Sequence, residues 1–235
     1  MINNLNVITW NATGIMSSCS YLCDILIKKN IDISGLSEHW LRETDLHFLN
    51  NLDSKFTHHS VCDKDLRIPC VSNVRKGGLA ILWNNKYTNK ISTLPIDDDR
   101  IVGIQFECSK NCFIYFFQVY FPSSNHSLFK FLEYVEKLTD LIHSYRDRGI
   151  VVVMGDINAH LNTHAIFKKL DERSVRFQKC LTELNLISVN SLDTCIGANS
   201  TFVSYNGENE PLIDHIIVPS EHSDYVFLKF LKTMR

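Results

Sequence analysis

Gly155-Asp156-Ile157-Asn158-Ala159-His160 follows directly on the apolar run Ile150-Val151-Val152-Val153-Met154, and this stretch decides how the rest of the chain is read. The run is short, β-branched and bounded by Gly149 and Gly155, which predicts a strand buried on both faces. Open α/β sheets place ligand-binding groups at the C-terminal ends of their strands, where Asp156 and Asn158 fall. A carboxylate is costly to bury without a partner, so an acid at the mouth of a core strand points to a task. The plainer alternative is an Asx-type turn that ends the strand.

Outward from this stretch, further strands are expected at Leu5 to Trp10, Ile31 to Leu36, Leu79 to Trp83, Ile101 to Phe106, Cys112 to Tyr120 and Leu212 to Val218. Helical spacing joins Tyr21, Leu22, Ile25 and Leu26; then Phe129, Leu132, Val135, Leu138 and Ile142; then Phe177, Leu181 and Leu184. The first strand–helix–strand unit predicts parallel pairing, and the middle of the chain is rich in strands joined by short turns. The fold class expected is α/β: two sheets packed face to face and covered outside by helices. With scattered Pro and Gly and no linker, one domain spanning 1–235 is expected.

The composition narrows the function. The 235 residues are 45% hydrophobic, enough to build a large core, and 21% charged, which argues against long disordered tracts. No secretory signal is visible at Met1 to Asn6, so an intracellular place, nuclear or cytoplasmic, is expected, with no membrane and no obligate protein partner. The longest apolar stretch, Cys112 to Phe121, is interrupted by Gln118 and is too short to span a bilayer. Eight cysteines without a metal-type spacing read as reduced packing residues. A net charge of −2 does not advertise nucleic-acid binding. Local basic clusters do occur: Arg67, Arg75 and Lys76; Arg146 and Arg148; and Lys168, Lys169, Arg173, Arg176 and Lys179. Each is either a solvated face or a contact to a phosphate backbone.

Four more strand ends carry polar groups. Asn11-Ala12-Thr13-Gly14 follows the first strand, Ser37-Glu38-His39-Trp40 the second, and Tyr120-Phe121-Pro122 ends another. Asp214 lies in an otherwise aliphatic run, where an isolated acid needs a partner. In order, Asn-x-x-Gly, Ser-Glu, Gly77-Gly78-Leu79-Ala80, Tyr-x-Pro, Gly-Asp-x-Asn and Ile-Asp resemble the endonuclease/exonuclease/phosphatase superfamily, from Asn6 to about Phe230. This is the DNase I-like fold of the apurinic endonucleases, a four-layer α/β sandwich. Gly155 to His160 and Asp99-Arg100-Ile101-Val102-Gly103 look most like the endonuclease domains of non-LTR retrotransposons.

The resemblance implies a DNA-nicking phosphodiesterase dependent on Mg²⁺, with Mn²⁺ possible. Glu38 becomes the metal carboxylate, with Asn11 in the same pocket. Asp156 positions and deprotonates the attacking water, Asn158 and Tyr120 bond phosphate oxygens, and Asp214 orients a catalytic histidine. The family carries that histidine in a Ser-Asp-His motif, which is not found after Val218. His215 neighbours Asp214 and so points to the opposite face of an extended segment, and His222 lies beyond it. Thr13 stands where apurinic endonucleases carry an acid. The expectation is a C-terminally truncated, weak nuclease. The alternatives are a catalytically impaired remnant, or a phosphatase or phospholipase on the same scaffold.

Overall fold

The computed structural model describes residues 4–63, 77–161, 170–192, 195 and 212–225. Its contacts divide the chain into two compact units, Met1–Tyr120 and Phe121–Arg235.

The first unit begins with β1 (Val7–Asn11), α1 (Ile15–Lys28) and β2 (Ile33–Ser37), a crossover with parallel register from Val7↔Ile33 to Asn11↔Ser37. Ile15, Leu22 and Leu26 form the buried stripe of α1. The helix ends in a left-handed residue, Asn30 (φ 49°), where Asn30 N–H donates to the Ile27 carbonyl and Ile31 N–H to that of Leu26. β3 (Phe56–Val61) and β4 (Leu79–Asn84) complete a four-stranded sheet in the order β1-β2-β4-β3. Alternation divides its faces. Leu36, Ala80 and Leu82 join Ile15, Leu22, Leu26, Ile31 and Leu49 in the core beneath α1.

The other face meets an antiparallel run of β5 (Ile91–Thr93), β6 (Ile101–Ser109) and β7 (Cys112–Tyr120). Between these layers lies a buried polar chain. Thr9 Oγ1 donates to Gln118 Oε1 at 3.3 Å, Gln118 Nε2 to Ser37 Oγ at 2.9 Å, and Ser37 Oγ to the Val119 carbonyl at 3.3 Å. The Gln118 amide both accepts and donates within this chain, which explains why a glutamine interrupts the most apolar strand.

In the second unit, α2 (Leu128–Tyr145) and α3 (Glu172–Glu183) cover β8 (Ile150–Asp156), β9 (Leu186–Ser188) and β10 (Asp214–Pro219), with β10 antiparallel to both other strands. Ser127 caps α2 by accepting from Lys130 N–H, and Asp171 caps α3 by accepting from Ser174 N–H. Phe121 stacks edge-on against Phe131 and Phe177 at 5.6 and 5.9 Å.

Most expected elements appear within two residues of their expected ends. One helix face is rotated, however. Phe129 is 80% exposed, and Phe131 and Tyr134 take the core positions of α2 with Val135, Leu138 and Ile142. The apolar residues of α2 fit two stripes, and the aromatic cluster selects the one that reaches Phe121 and Phe177. The cysteines among the described residues are free thiols. No helix among those residues is long and apolar enough to cross a membrane.

Candidate active site

In the first unit the strand register gathers one set of polar residues. Asn11 pairs with Ser37, Ser37 with Leu79, and Leu79 with Val61, so the chain leaves β1, β2 and β3 and enters β4 at the same edge. The bond from Ser37 to Val119 brings the end of β7 to that edge, and Tyr120 follows it.

Glu38 sits immediately past β2 with φ 54°, a left-handed conformation that costs a non-glycine residue free energy. Its carboxylate is gripped on both oxygens. Asn11 Nδ2 donates to Oε1 at 2.8 Å and Trp40 Nε1 to Oε2 at 3.1 Å. The amide oxygen of Asn11 accepts from the backbone N–H and hydroxyl of Thr13, so the amide nitrogen is the group turned toward Glu38.

The segment is anchored by His39, which is buried. Leu41 N–H donates to its Nδ1 at 3.0 Å and its Nε2–H donates to the Val61 carbonyl at 3.0 Å. Burial lowers this imidazole from 6.5 to about 4, so it is neutral at pH 7. Gly78, at φ 86°, lies flat on the His39 ring, and a Cβ there would collide with it. Gly78 is therefore a packing requirement of the Glu38 segment, whereas a Cβ at Gly77 would meet Asp63.

Tyr120 is half-buried and faces Arg100, the residue just before β6, whose carbonyl accepts from Tyr120 N–H at 3.0 Å. The Arg100 guanidinium lies 5.0 Å from the Tyr120 ring centroid, donates to the Tyr120 carbonyl at 3.3 Å and lies 3.8 Å from Asp63.

The second unit holds the other set. Asp156 and Asp214 are directly opposed in the β8–β10 ladder, and both are buried, Asp156 to 3% exposure. Asn158 (φ 52°) donates its backbone N–H to Asp156 Oδ1 at 3.0 Å and its Nδ2 to the Phe121 carbonyl at 2.9 Å. Phe121 N–H donates in turn to the Asp156 carbonyl at 2.9 Å. The strand end is thus an Asx turn built around Asp156, and the turn and the buried acid coexist. Asn11 and Glu38 are therefore brought into contact in one unit, with Tyr120 at the same edge. Asp156, Asn158 and Asp214 are brought together in the other.

The His215 ring is wholly buried on the face of β10 away from Asp214. It lies 3.0 Å from Ser188 Oγ and 3.1 Å from the Ala159 carbonyl, and burial lowers it to about 4. Asn190 Nδ2 donates to the Asp214 carbonyl at 3.0 Å. His222 falls in a short 3-10 segment, Ser220–Tyr225, after β10.

Within the basic cluster of α3, Arg173 is a structural residue. It is buried, donates to the carbonyls of Pro122 (2.6 Å) and His126, and stacks on Phe131 at 5.2 Å. Arg176 and Lys179 pair with Glu172 and Glu183 on the exposed face. Lys168 and Lys169, and Arg67, Arg75 and Lys76, lie outside the described residues.

Trp40, Arg100, Gln118 and His39 are the residues around the site that the sequence reading did not assign. Gln118 carried a signal, a lone amide in an apolar strand. Trp40 carried only its adjacency to Ser-Glu-His.

Among the described residues no three His, Cys, Asp or Glu side chains come together to enclose an ion. One carboxylate held in a fixed plane by two donors suits a hard divalent cation that keeps most of its waters, and does not suit a closed protein cage.

The description "Endonuclease/Exonuclease/phosphatase family" belongs to the family model that matches residues 8–229. No curated protein sequence matches. Among solved structures, an AP endonuclease from Leishmania major superposes with a TM-score of 0.76 at 16% identity, covering 94% of this chain and 80% of that one. A 3′ phosphatase from Neisseria bound to a product DNA hairpin gives 0.71 at 16% identity, covering 94% and 89%. An AP endonuclease from Archaeoglobus fulgidus gives 0.60 at 18% identity, covering 94% and 89%. At these identities the likeness shows the fold: two mixed sheets with flanking helices, an α/β sandwich of DNase I-like type.

Proposed function

Because the chain belongs to the endonuclease/exonuclease/phosphatase family, we propose that it is a divalent-metal-dependent DNA endonuclease of the retroelement type, hydrolysing backbone phosphodiesters by attack of water. The observation that carries the reading is the pair of buried acids opposed in the β8–β10 ladder, with one oxygen of Asp156 held by Asn158 N–H. A buried, oriented carboxylate at a strand end is what a base that places a water requires.

Asp156 positions the water and takes its proton. Asn158 and Tyr120 donate to the phosphate oxygens as charge develops on them. Glu38 holds the cation, and Asn11 fixes the carboxylate plane from one side. A divalent cation held by Glu38, Mg²⁺ or Mn²⁺, would supply charge neutralisation at the phosphate and at the leaving oxygen. Asp214 lies across the ladder from Asp156, where the family resemblance gives it the role of orienting a catalytic histidine. The motifs Gly155 to His160 and Asp99 to Gly103 support the retroelement type, and the Leishmania and Neisseria likenesses support DNA as the substrate.

The test is nicking of supercoiled plasmid in Mg²⁺. Activity lost in EDTA and in Glu38→Ala is the expected result, and activity indifferent to both would overturn the assignment. Likeness to a 3′ phosphatase favours one second reading, removal of a terminal phosphate. Phosphate release from a 3′-phosphorylated oligonucleotide, without nicking, would select it.

A further inference from the structure

We infer that Trp40 is a positioning residue for Glu38, its indole N–H fixing the carboxylate in the orientation that receives the divalent cation; this rests on the proposed role of Glu38.

Four observations converge on the indole. It donates from Nε1 to Glu38 Oε2 at 3.1 Å, so that with Asn11 on Oε1 each oxygen has one donor and keeps lone pairs for a cation. The Trp40 backbone is left-handed (φ 58°), as is that of Glu38 two residues earlier. Such a conformation persists only where the surroundings enforce it. Here Trp40 N–H is tied to the Gly77 carbonyl at 3.0 Å and Gly14 N–H to the Glu38 carbonyl at 2.9 Å. The ring is seated on Gly14, where a Cβ would come to 2.8 Å from Trp40 Cε3. Finally, the intervening His39 is locked through both ring nitrogens, so Glu38 and Trp40 project together from one anchored turn.

A carboxylate with a single donor can rotate about its last bond, and binding a cation must then restrict it. Two charge-assisted donors remove that freedom beforehand. An indole carrying only packing energy would contribute stability and nothing to metal affinity. The donor also explains why a large aromatic ring lies half-buried beside an acid, where Phe would pack equally well.

The test uses Mn²⁺ alone as the probe, with binding to wild type, Trp40→Phe and Glu38→Gln followed by electron paramagnetic resonance. Removing an outer partner of a metal ligand typically weakens binding about 10- to 100-fold. Trp40→Phe is expected at the low end of that range, and Glu38→Gln is expected to lose the site. Nicking by Trp40→Phe should recover at high Mn²⁺, an effect on metal affinity and not on turnover. Equal Mn²⁺ affinity in wild type and Trp40→Phe would overturn the inference. Equal affinity in wild type and Glu38→Gln would instead remove Glu38 as the ligand, and the inference with it.

A second measurement needs no variant at position 40. The chain has three tryptophans, Trp10, Trp40 and Trp83, so three indole N–H resonances are assignable through Trp10→Phe and Trp83→Phe. The Trp40 resonance should shift on Mg²⁺ titration. A stationary Trp40 signal while Mg²⁺ binds would contradict the contact.

Discussion

Gln118 donates its amide to the hydroxyl of Ser37 at 2.9 Å, joining the strand that ends in Tyr120 to the strand that ends beside Glu38. A one-residue slip of either strand would leave buried polar groups facing aliphatic side chains, so this contact sets register as well as stability. Gln118→Leu removes the acceptor of the Thr9 hydroxyl and the donor to Ser37 Oγ, and is expected to cost roughly 1–3 kcal/mol in chemical denaturation. Nicking should fall too, because Glu38 and Tyr120 lose their shared reference. Unchanged stability would mean that the polar chain is incidental.

Gly78→Ala tests the anchor under Glu38. An added Cβ meets the His39 ring, and φ 86° is strained for alanine regardless of space. The expected loss is more than about 1 kcal/mol, with Mn²⁺ affinity reduced as the Glu38 turn shifts. A variant that melts and binds Mn²⁺ like wild type would show that Gly78 does not hold the turn.

The buried His215 gives a pH dependence with a definite sign. Burial lowers its folded value to about 4 against an ordinary 6.5, so the unfolded chain binds the extra proton between those values. Its contribution to stability is complete above pH 6.5 and is lost as the pH falls through about 4. The magnitude is on the order of 3 kcal/mol. Urea midpoints measured from pH 7 to 4 should fall, and His215→Gln should flatten the slope. A wild-type midpoint that is level over this range would contradict the neutral buried imidazole.

Arg173 separates structure from DNA contact. Arg173→Met leaves the Pro122 and His126 carbonyls without their charged donor and is expected to cost about 2–3 kcal/mol. The salt dependence of DNA binding should not change, whereas loss of a phosphate contact would lower the log–log slope by about 1. A lowered slope without destabilisation would instead make Arg173 a phosphate contact.

The fold was legible wherever burial imposed a clean period. The β8 run, the β1–α1–β2 crossover and the β7 run all carry enough aliphatic or aromatic residues to declare themselves. β3 did not, because it is an edge strand whose middle is Thr57-His58-His59-Ser60, half-buried and without alternation. β5 and β9 span three residues each and owe their existence to neighbouring strands. Among the candidate residues, the types at strand ends stood out against their surroundings: Asn11, Glu38 and Tyr120 in the first unit, and Asp156, Asn158 and Asp214 in the second. What holds them was not. The contacts of Trp40 with Glu38, Arg100 with Tyr120 and Gln118 with Ser37 depend on backbone turns and on register between distant strands. Arg173 misled for a related reason: a basic residue in a charged helix looks solvated until the loop carbonyls that it caps are in place.

In the proposed ion-dependent reaction, Asp156 places the water that cuts DNA. Nicking of supercoiled plasmid by wild type and Asp156→Ala, side by side in Mg²⁺, tests it most directly. Removing such a group typically costs about 10²- to 10³-fold, and that loss is the predicted result, with Mn²⁺ binding at Glu38 retained. Nicking by Asp156→Ala at the wild-type rate would show that another group places the water.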